Sequence, residues 1–245
     1  MKAMVLAAGL GTRLRPLTND RPKALVEVCG RMLLEITLTR LRDFGIRDVI
    51  INVHHYADMV IDRAKAAGNF GMHIEFSQED ILLDTGGGLK QAAWFLGNSS
   101  DEPFILHNVD VISSIDLQRM VEVHKENQAL ATLAVQERKS SRYLLFDEQG
   151  RLCGRRLVKE EKTEVIRLAQ QMTELAFSGI HVISPRIFSL LTEEGIFSIV
   201  PAYLRLAARG ERIMAFRADE YYWRDLGKPE NIRQAELDIK ANLVR

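Results

Sequence analysis

Short apolar runs alternate with amphipathic stretches along the first half of the chain, and that alternation predicts its elements. Met4 to Ala8 is an unbroken apolar run ending at Gly9, the mark of a central strand covered on both faces. Leu34, Leu38, Leu41 and Phe44 recur at helical spacing and predict a helix over Leu33 to Phe44, closed by Gly45. Val49 to Val53 reads as a second buried strand, Ala57 to Ala67 as a helix ending at Gly68, and His73 to Phe76 as an alternating strand. A strand over Phe104 to His107 leads into Asn108-Val109-Asp110. A helix over Leu117 to Asn127 and a strand over Ala131 to Val135 follow. Repeated strand–helix alternation specifies an α/β chain, a parallel sheet with helices on both faces. Ligands of such sheets sit beyond the carboxyl ends of the strands, which singles out residues 9–23, 77–88 and 108–111.

The second half is patterned differently. Tyr143 to Phe146, a turn at Asp147-Glu148-Gln149-Gly150, and Leu152 onward read as a β-hairpin. Residues 155–174 are strongly charged and weakly periodic, which predicts a solvated loop or exposed face. Ala176 to Ile183 predicts a strand, Ile187 to Leu191 and Ile199 to Ala208 helices, and Asn231 to Leu243 a closing helix. Arg212 to Phe216 and Tyr221 to Leu226 read as short strands. With no repeat and no low-complexity linker, the expectation is a single domain over residues 1–245, its second half elaborating the sheet and covering a substrate.

Composition narrows this only a little. The 245 residues are 47% hydrophobic and 27% charged, and 33 basic residues balance 33 acidic ones. No bulk field points to nucleic acid or to an anionic membrane, so any grip on a polyanion must be local. Cys29 and Cys153 form neither a disulfide framework nor a zinc pattern, and each is expected to be a small buried apolar residue. The apolar run before Gly9 is too short for a targeting segment, and Arg13 and Arg15 follow at once. No stretch approaches the ~18 apolar residues that span a bilayer, so the cytoplasm is the expected location.

The chemistry-bearing segment is Leu6-Ala7-Ala8-Gly9-Leu10-Gly11-Thr12-Arg13-Leu14-Arg15-Pro16-Leu17-Thr18, followed by Arg21-Pro22-Lys23-Ala24-Leu25. Two glycines let backbone N–H groups approach a phosphate, and Arg13, Arg15 and Lys23 concentrate positive charge. A triphosphate needs such fixed donors. The dinucleotide fingerprint requires a third glycine where Leu14 stands, and the Walker ending Gly-Lys-Ser/Thr is absent. These residues alone imply a phosphate binder and leave an ordinary basic turn open. Asp110, beyond a strand end, and Asp225, in Trp223-Arg224-Asp225-Leu226-Gly227-Lys228-Pro229-Glu230, suit two carboxylates sharing one Mg²⁺ with phosphate oxygens, or two turn formers. Asp84-Thr85-Gly86-Gly87-Gly88 reads as a glycine triplet opening a helix with free N-terminal N–H groups, or as a flexible turn.

The long segment resembles the signature of the sugar-1-phosphate nucleotidylyltransferases, a strand followed by L-A-A-G-x-G-T-R-L-x-P-L-T and then P-K-x-L. Similarity continues at residues 84–88, 108–110, 176–183 and 223–230. The resemblance implies a Rossmann-like three-layer sandwich with a mixed, mostly parallel central sheet. Its nucleotide-binding half would run to about residue 136 and its sugar-phosphate-binding half over about 137–245. It implies that Ala7, Ala8, Gly9, Gly11 and Thr12 hold the nucleotide phosphates. Arg13 would steady the leaving pyrophosphate, Lys23 the α-phosphate, and Asp110 and Asp225 a Mg²⁺. Thr85, Gly86 and Gly87 would contact base and ribose, with Gln78 a candidate base reader. The usual Gly before the metal aspartate is Val109 here, which predicts a slightly different turn. The Glu-Lys-Pro motif whose lysine binds the sugar phosphate in many relatives is missing. Arg142 is the expected substitute, and Ser178 and Gly179 would line the sugar pocket. His54, His55, His107 and His181 lack metal-ligand spacing and read as core or strand-end residues. The D/E-T-G-G-G version of the triplet is that of the muramate-type uridylyltransferases. UTP and N-acetylmuramate 1-phosphate, or a related hexose 1-phosphate, are therefore the expected substrates. GTP with mannose 1-phosphate, or CTP with a non-sugar such as phosphocholine, are the same-chemistry alternatives. A non-catalytic nucleotide-binding subunit and a dinucleotide-dependent oxidoreductase are those of other classes. A monomer or a homodimer is expected, with no nucleic-acid or membrane partner.

Overall fold

In a computed structural model, which describes residues 1–97 and 101–243, the N-terminal apolar run forms β1 (Lys2–Leu6). Its side chains divide between two cores: Ala3 and Val5 enter one and Met4 the other. The chain continues through β2 (Glu27–Val28), β3 (Arg31–Met32), α1 (Leu33–Asp43), β4 (Asp48–Val53), α2 (Ala57–Ala66), β5 (His73–Gln78), α3 (Asp84–Gln91) and α4 (Ala93–Leu96). Next come β6 (Phe104–Asn108), β7 (Val111–Ser113), α5 (Leu117–Glu126) and β8 (Ala131–Gln136). The second half adds β9 (Arg142–Phe146), β10 (Leu152–Leu157), β11 (Lys162–Val165), β12 (Thr173–Ile183), α6 (Ile187–Leu190), α7 (Ile199–Ala208), β13 (Ile213–Arg217), β14 (Trp223–Asp225) and α8 (Pro229–Lys240).

Val49 and Ile51 of β4 and Ile105 of β6 join the first core, while Ile50 and Leu106 join the second. Strands apolar on both faces must be covered on both faces, and this makes three layers. Helices α1, α2, α5 and α8 supply the first outer layer through Leu34, Val60, Met120 and Ile232. Helices α3, α4, α6 and α7 supply the second through Leu89, Phe95, Ile187 and Tyr203. The central run β5-β4-β1-β6-β12-β8-β13 has every strand but β12 pointing the same way. The expected mixed, mostly parallel sheet is present. The long β12 bends between Phe177 and His181, where its register with β8 shifts, and its first residues pair with β9.

The charged run at 155–174 departs from the expectation of a loop. Its first residues complete β10 and its middle forms the edge strand β11. Opposed charges support this arrangement: Arg155 meets Glu164 directly across the β10–β11 pairing at 2.8 Å, and Arg156 reaches Glu174 of β12 at 2.7 Å. An edge strand solvated on both faces carries no apolar alternation, so its sequence reads as a loop. The other differences are local. Cys153 is buried as expected, but Cys29 is exposed, on the turn between β2 and β3. Val109 is buried and is not among the residues with positive φ, so this turn places no demand for glycine at that position.

Candidate active site

The loop after β1 folds back on itself. Gly11 adopts φ +63°, and a Cβ there would stand 3.0 Å from the Thr18 methyl and 3.1 Å from Lys23 Cβ. Glycine is thus required both by the left-handed conformation and by close approach. Thr18 donates its hydroxyl to the Gly11 carbonyl at 2.8 Å, and Leu14, fully buried, anchors the intervening turn in the core. Thr12 and Arg13 remain exposed. Lys23 follows Pro22 at the start of a short 3₁₀ turn that returns it beneath the loop.

Buried polar groups fix the strand ends beside this loop. Asn52, at the end of β4, accepts from the Ala7 backbone N–H at 2.7 Å and donates to Glu79 at 2.7 Å. The other oxygen of Glu79 accepts from the Leu83 N–H at 2.9 Å. Both side chains are nearly inaccessible, and each polar atom named has its partner, as burial demands. A pocket of about 360 Å³ opens above them, lined by Ala7, Ala8, Gly9, Lys23, Asp110 and Thr85 among others.

Lys23 and Asp110 form an ion pair, each side chain only 12% exposed. Asp225 reaches the same place by a separate route. Strand β14 pairs antiparallel with β7, setting Asp225 opposite Val111, and the Leu226 N–H donates to the Asp110 carbonyl at 2.8 Å. Arg13 arrives from the loop: a Cβ on Gly227 would stand 2.6 Å from its guanidinium and 2.8 Å from the Asp225 carboxylate. Four residues from three segments far apart in sequence, the β1 loop with Arg13 and Lys23, the turn with Asp110 and the strand end with Asp225, therefore converge on one end of the sheet. The two aspartates offer hard carboxylate oxygens, and no larger His/Cys/Asp/Glu cluster forms among the described residues. That donor set fits Mg²⁺, which takes one or two carboxylates and leaves its other positions to phosphate oxygens and water.

The glycine triplet lies within the first turns of α3 rather than ahead of it. The N–H groups of Gly86 and Gly87 already donate to the Phe197 carbonyl, at 2.9 and 3.1 Å, so they are not the free donors expected of a helix start. Gly88 lies against Asn52 and Glu79, leaving no room for a Cβ. Thr85 lines the pocket, whereas Gly86 and Gly87 are buried behind it. Gln78 is exposed at the end of β5, outside the pocket lining.

A second, more polar pocket of about 560 Å³ adjoins the first through Asn108, which lines both. Ser178, Gly179, Arg13 and Asp225 line it, as do Arg138 and Trp223. The Arg138 guanidinium lies 3.7 Å from the Trp223 ring centre and donates to the Phe177 carbonyl at 2.7 Å. Burial holds its pKa below the usual arginine value, with Asp225 acting in the opposite sense. Gly179, at φ +75°, lets β12 pass close to the Asn108 side chain. Arg142 is elsewhere: it starts β9, is exposed, and contributes nothing to this lining. His107, fully buried beneath the site, is held down to about 4, first by burial and then by Arg40. As a neutral ring it donates from Nδ1 to the Asn108 carbonyl at 2.8 Å.

The profile of the nucleotidyl transferase family matches residues 2–242. The chain belongs to this family. N-acetylmuramate alpha-1-phosphate uridylyltransferase of Caulobacter vibrioides is 36% identical, over 99% of this chain and 96% of its own length. Mannose-1-phosphate guanyltransferase of Yarrowia lipolytica is 30% identical over 94% of this chain, which spans only 62% of that longer protein. A solved UDP-glucose pyrophosphorylase from Acinetobacter baumanii superposes with a TM-score of 0.79, covering 98% of this chain and 93% of its own, at 18% identity; it supports the fold. The chain is thus a sugar-1-phosphate nucleotidyltransferase, with the Rossmann-like fold of its neighbours. Among the described residues of this nucleotidyltransferase, no helix is long and apolar enough to cross a membrane. Sequence reasoning missed Asn52, Glu79, Asn108 and Arg138. The first three stand at or just beyond the carboxyl ends of β4, β5 and β6, so their position was the available signal.

Proposed function

We propose that this enzyme condenses a nucleoside triphosphate with a sugar 1-phosphate, giving a nucleoside-diphosphate sugar and pyrophosphate. UTP and N-acetylmuramate 1-phosphate, or a closely related hexose 1-phosphate, are the substrates we favour. The observation that carries the reaction is the Lys23–Asp110 pair on the wall of the pocket beneath the β1 loop. The substrate choice rests on the 36% identity to the Caulobacter uridylyltransferase over nearly its full length.

In this reading the nucleotide occupies the pocket formed mainly by residues up to about 136, and the sugar phosphate the pocket lined largely by residues after it. Ala7, Ala8, Gly9, Gly11 and Thr12 follow the triphosphate, with Thr85 toward the ribose and base. Gln78, Gly86 and Gly87 then act from outside the pocket lining. Ser178 and Gly179 border the sugar, and Arg138 takes the place of the missing lysine, a role first expected of Arg142.

An oxygen of the sugar 1-phosphate attacks the α-phosphorus in line. The bond to the β-phosphate breaks, and pyrophosphate leaves with the electron pair. The nucleophile is already an anion, so no general base is required. Lys23 neutralises charge on the α-phosphate, and Arg13 charge on the leaving pyrophosphate. Asp110 and Asp225 would hold Mg²⁺, which when bound supplies further charge neutralisation and orients the phosphates.

The test is pyrophosphate release with Mg²⁺, each of four nucleoside triphosphates and a panel of sugar 1-phosphates. Turnover with UTP and a muramate-type sugar is expected. Turnover confined to GTP and mannose 1-phosphate, or to CTP and phosphocholine, overturns the substrate choice. Release of no pyrophosphate from any combination overturns the reaction.

A further inference from the structure

Gly86 and Gly87 leave a puzzle: their N–H groups are consumed and their faces are covered, yet the positions tolerate no side chain. What covers them is residues 193–198, an irregular strap between α6 and α7 that comes from the second half of the chain. A Cβ on Gly86 would collide with the Phe197 ring, and one on Gly87 would stand 2.5 Å from the Gly195 carbonyl.

The strap is tied down along its length. Phe197 returns a hydrogen bond from its N–H to the Leu83 carbonyl at 3.2 Å. The Ile199 N–H donates to the Thr85 hydroxyl at 3.0 Å. At the other end Lys90 donates to the Glu193 carbonyl at 2.6 Å and pairs with Glu194 at 2.9 Å. Between these ties Ile196 is held out, 63% exposed, and it lines the nucleotide pocket together with Leu82 and Thr85. Exposure alone does not single out Ile196, since Ile81 is exposed to a similar degree; its place on an anchored strap in the lining of the pocket does.

The lining of the same pocket includes the charged Lys23 and Asp110, the apolar Leu82 and Ile196, and the carboxylates of Asp84 and of the buried, hydrogen-bonded Glu79. A nucleotide likewise joins a charged phosphate end to a flat, largely apolar ring face with polar edges. We propose that the 193–198 strap is the outer wall of the base pocket and that Ile196 packs on the nucleotide base. Gly86 and Gly87 are then positioning residues that let the strap sit close enough to do so. This rests on the nucleotide pocket proposed above and changes its boundary, because the second half of the chain supplies one of its walls.

Calorimetric titration with each of four nucleoside triphosphates, and with inorganic tripolyphosphate, which has no base, tests the proposal. Ile196→Ala is expected to weaken binding of the preferred nucleoside triphosphate about tenfold and to leave tripolyphosphate binding unchanged. Gly87→Ala, which pushes the strap outward, is expected to show the same split. Ile81→Ala, a comparably exposed isoleucine outside the pocket lining, should bind as the wild type does. If Ile196→Ala binds nucleoside triphosphates as tightly as the wild type, or loses tripolyphosphate in equal measure, the strap is not a base wall and the proposed reaction still stands. A wild-type chain that binds none of the four triphosphates overturns both.

Discussion

The Lys23 ammonium reaches the Asp110 carboxylate across 87 residues of sequence, and the pair is largely buried. Lys23 comes from the loop after β1, and Asp110 from the turn after the neighbouring parallel strand β6. The pairing of β1 with β6 brings the two loops side by side. In the absence of ligand each charge compensates the other, so the site holds a cation and an anion ready without leaving either unpaired in a poorly solvated place. In the function proposed above, a triphosphate would draw Lys23 to its phosphates and free Asp110 for the cation that accompanies it.

Asp110→Asn and Asp225→Asn should each abolish most divalent-dependent turnover, by about a hundredfold or more. Neither change alters side-chain volume. Asp110→Asn still leaves Lys23 without a charged partner, so its melting temperature should be read beside its activity. Asp225 lies beside the Arg13 guanidinium and accepts from the Gly227 N–H at 2.9 Å, a bond its amide oxygen can keep, so its variant should melt closer to wild type than Asp110→Asn does. Assays across a Mg²⁺ series check this: a variant with wild-type turnover at wild-type Mg²⁺ concentration is not a variant of a metal ligand.

Arg138 and Arg142 should separate cleanly. Arg138→Ala removes a guanidinium that is stacked on Trp223 and faces the second pocket. It should raise KM for the sugar 1-phosphate about ten- to a hundredfold while KM for the nucleotide stays within twofold. Arg142→Ala, at an exposed strand start, should change neither constant by more than about twofold. Steady-state kinetics with each substrate varied in turn would detect the opposite pattern.

Acid should destabilise the fold well before the carboxylates titrate. Burial lowers the pKa of His107 and His124 from 6.5 to about 4, and that of His181 to about 3. Between these values and 6.5 the unfolded chain binds more protons than the folded one, so stability rises with pH through that window and is lost as pH falls through it. The melting temperature should drop by roughly 10 °C from pH 7 to pH 4.5. As a neutral ring His124 accepts from the Thr132 hydroxyl at 3.1 Å and donates to Ser184 Oγ, whose own proton goes to the Ala129 carbonyl, at 3.0 Å; His124→Gln should remove its share of that slope. A melting temperature flat over the window would contradict the neutral buried histidines.

What was legible in the sequence follows from which physical pattern each element obeys. Strands β1, β4 and β6 are apolar on both faces and announce a covered central sheet, and the amphipathic helices follow from their spacing. The edge strand β11 is solvated on both faces and left no such pattern. At the site, the signature loop was readable because glycine and cation spacing is local. That Asp225 meets Asp110 depends on β14 pairing with β7, which no local pattern specifies. The glycine triplet shows the difference most sharply. Its composition suggests free N–H groups, but glycine also permits close packing, and only the position of Phe197 decides between the two. The expectation of Arg142 rests on its place in the chain, while the Arg138 stack on Trp223 is a contact between residues far apart in sequence that no local pattern announces.

The measurement that bears most directly on the account is the turnover of Lys23→Ala beside wild type, with Mg²⁺, UTP and sugar 1-phosphate all saturating. If Lys23 neutralises charge that develops on the α-phosphate, kcat falls by at least about a hundredfold in a variant that circular dichroism shows to be folded, and Lys23→Arg recovers part of it. A folded Lys23→Ala enzyme with kcat near wild type would contradict the account, because the ion pair on which the site is built would then be structural only.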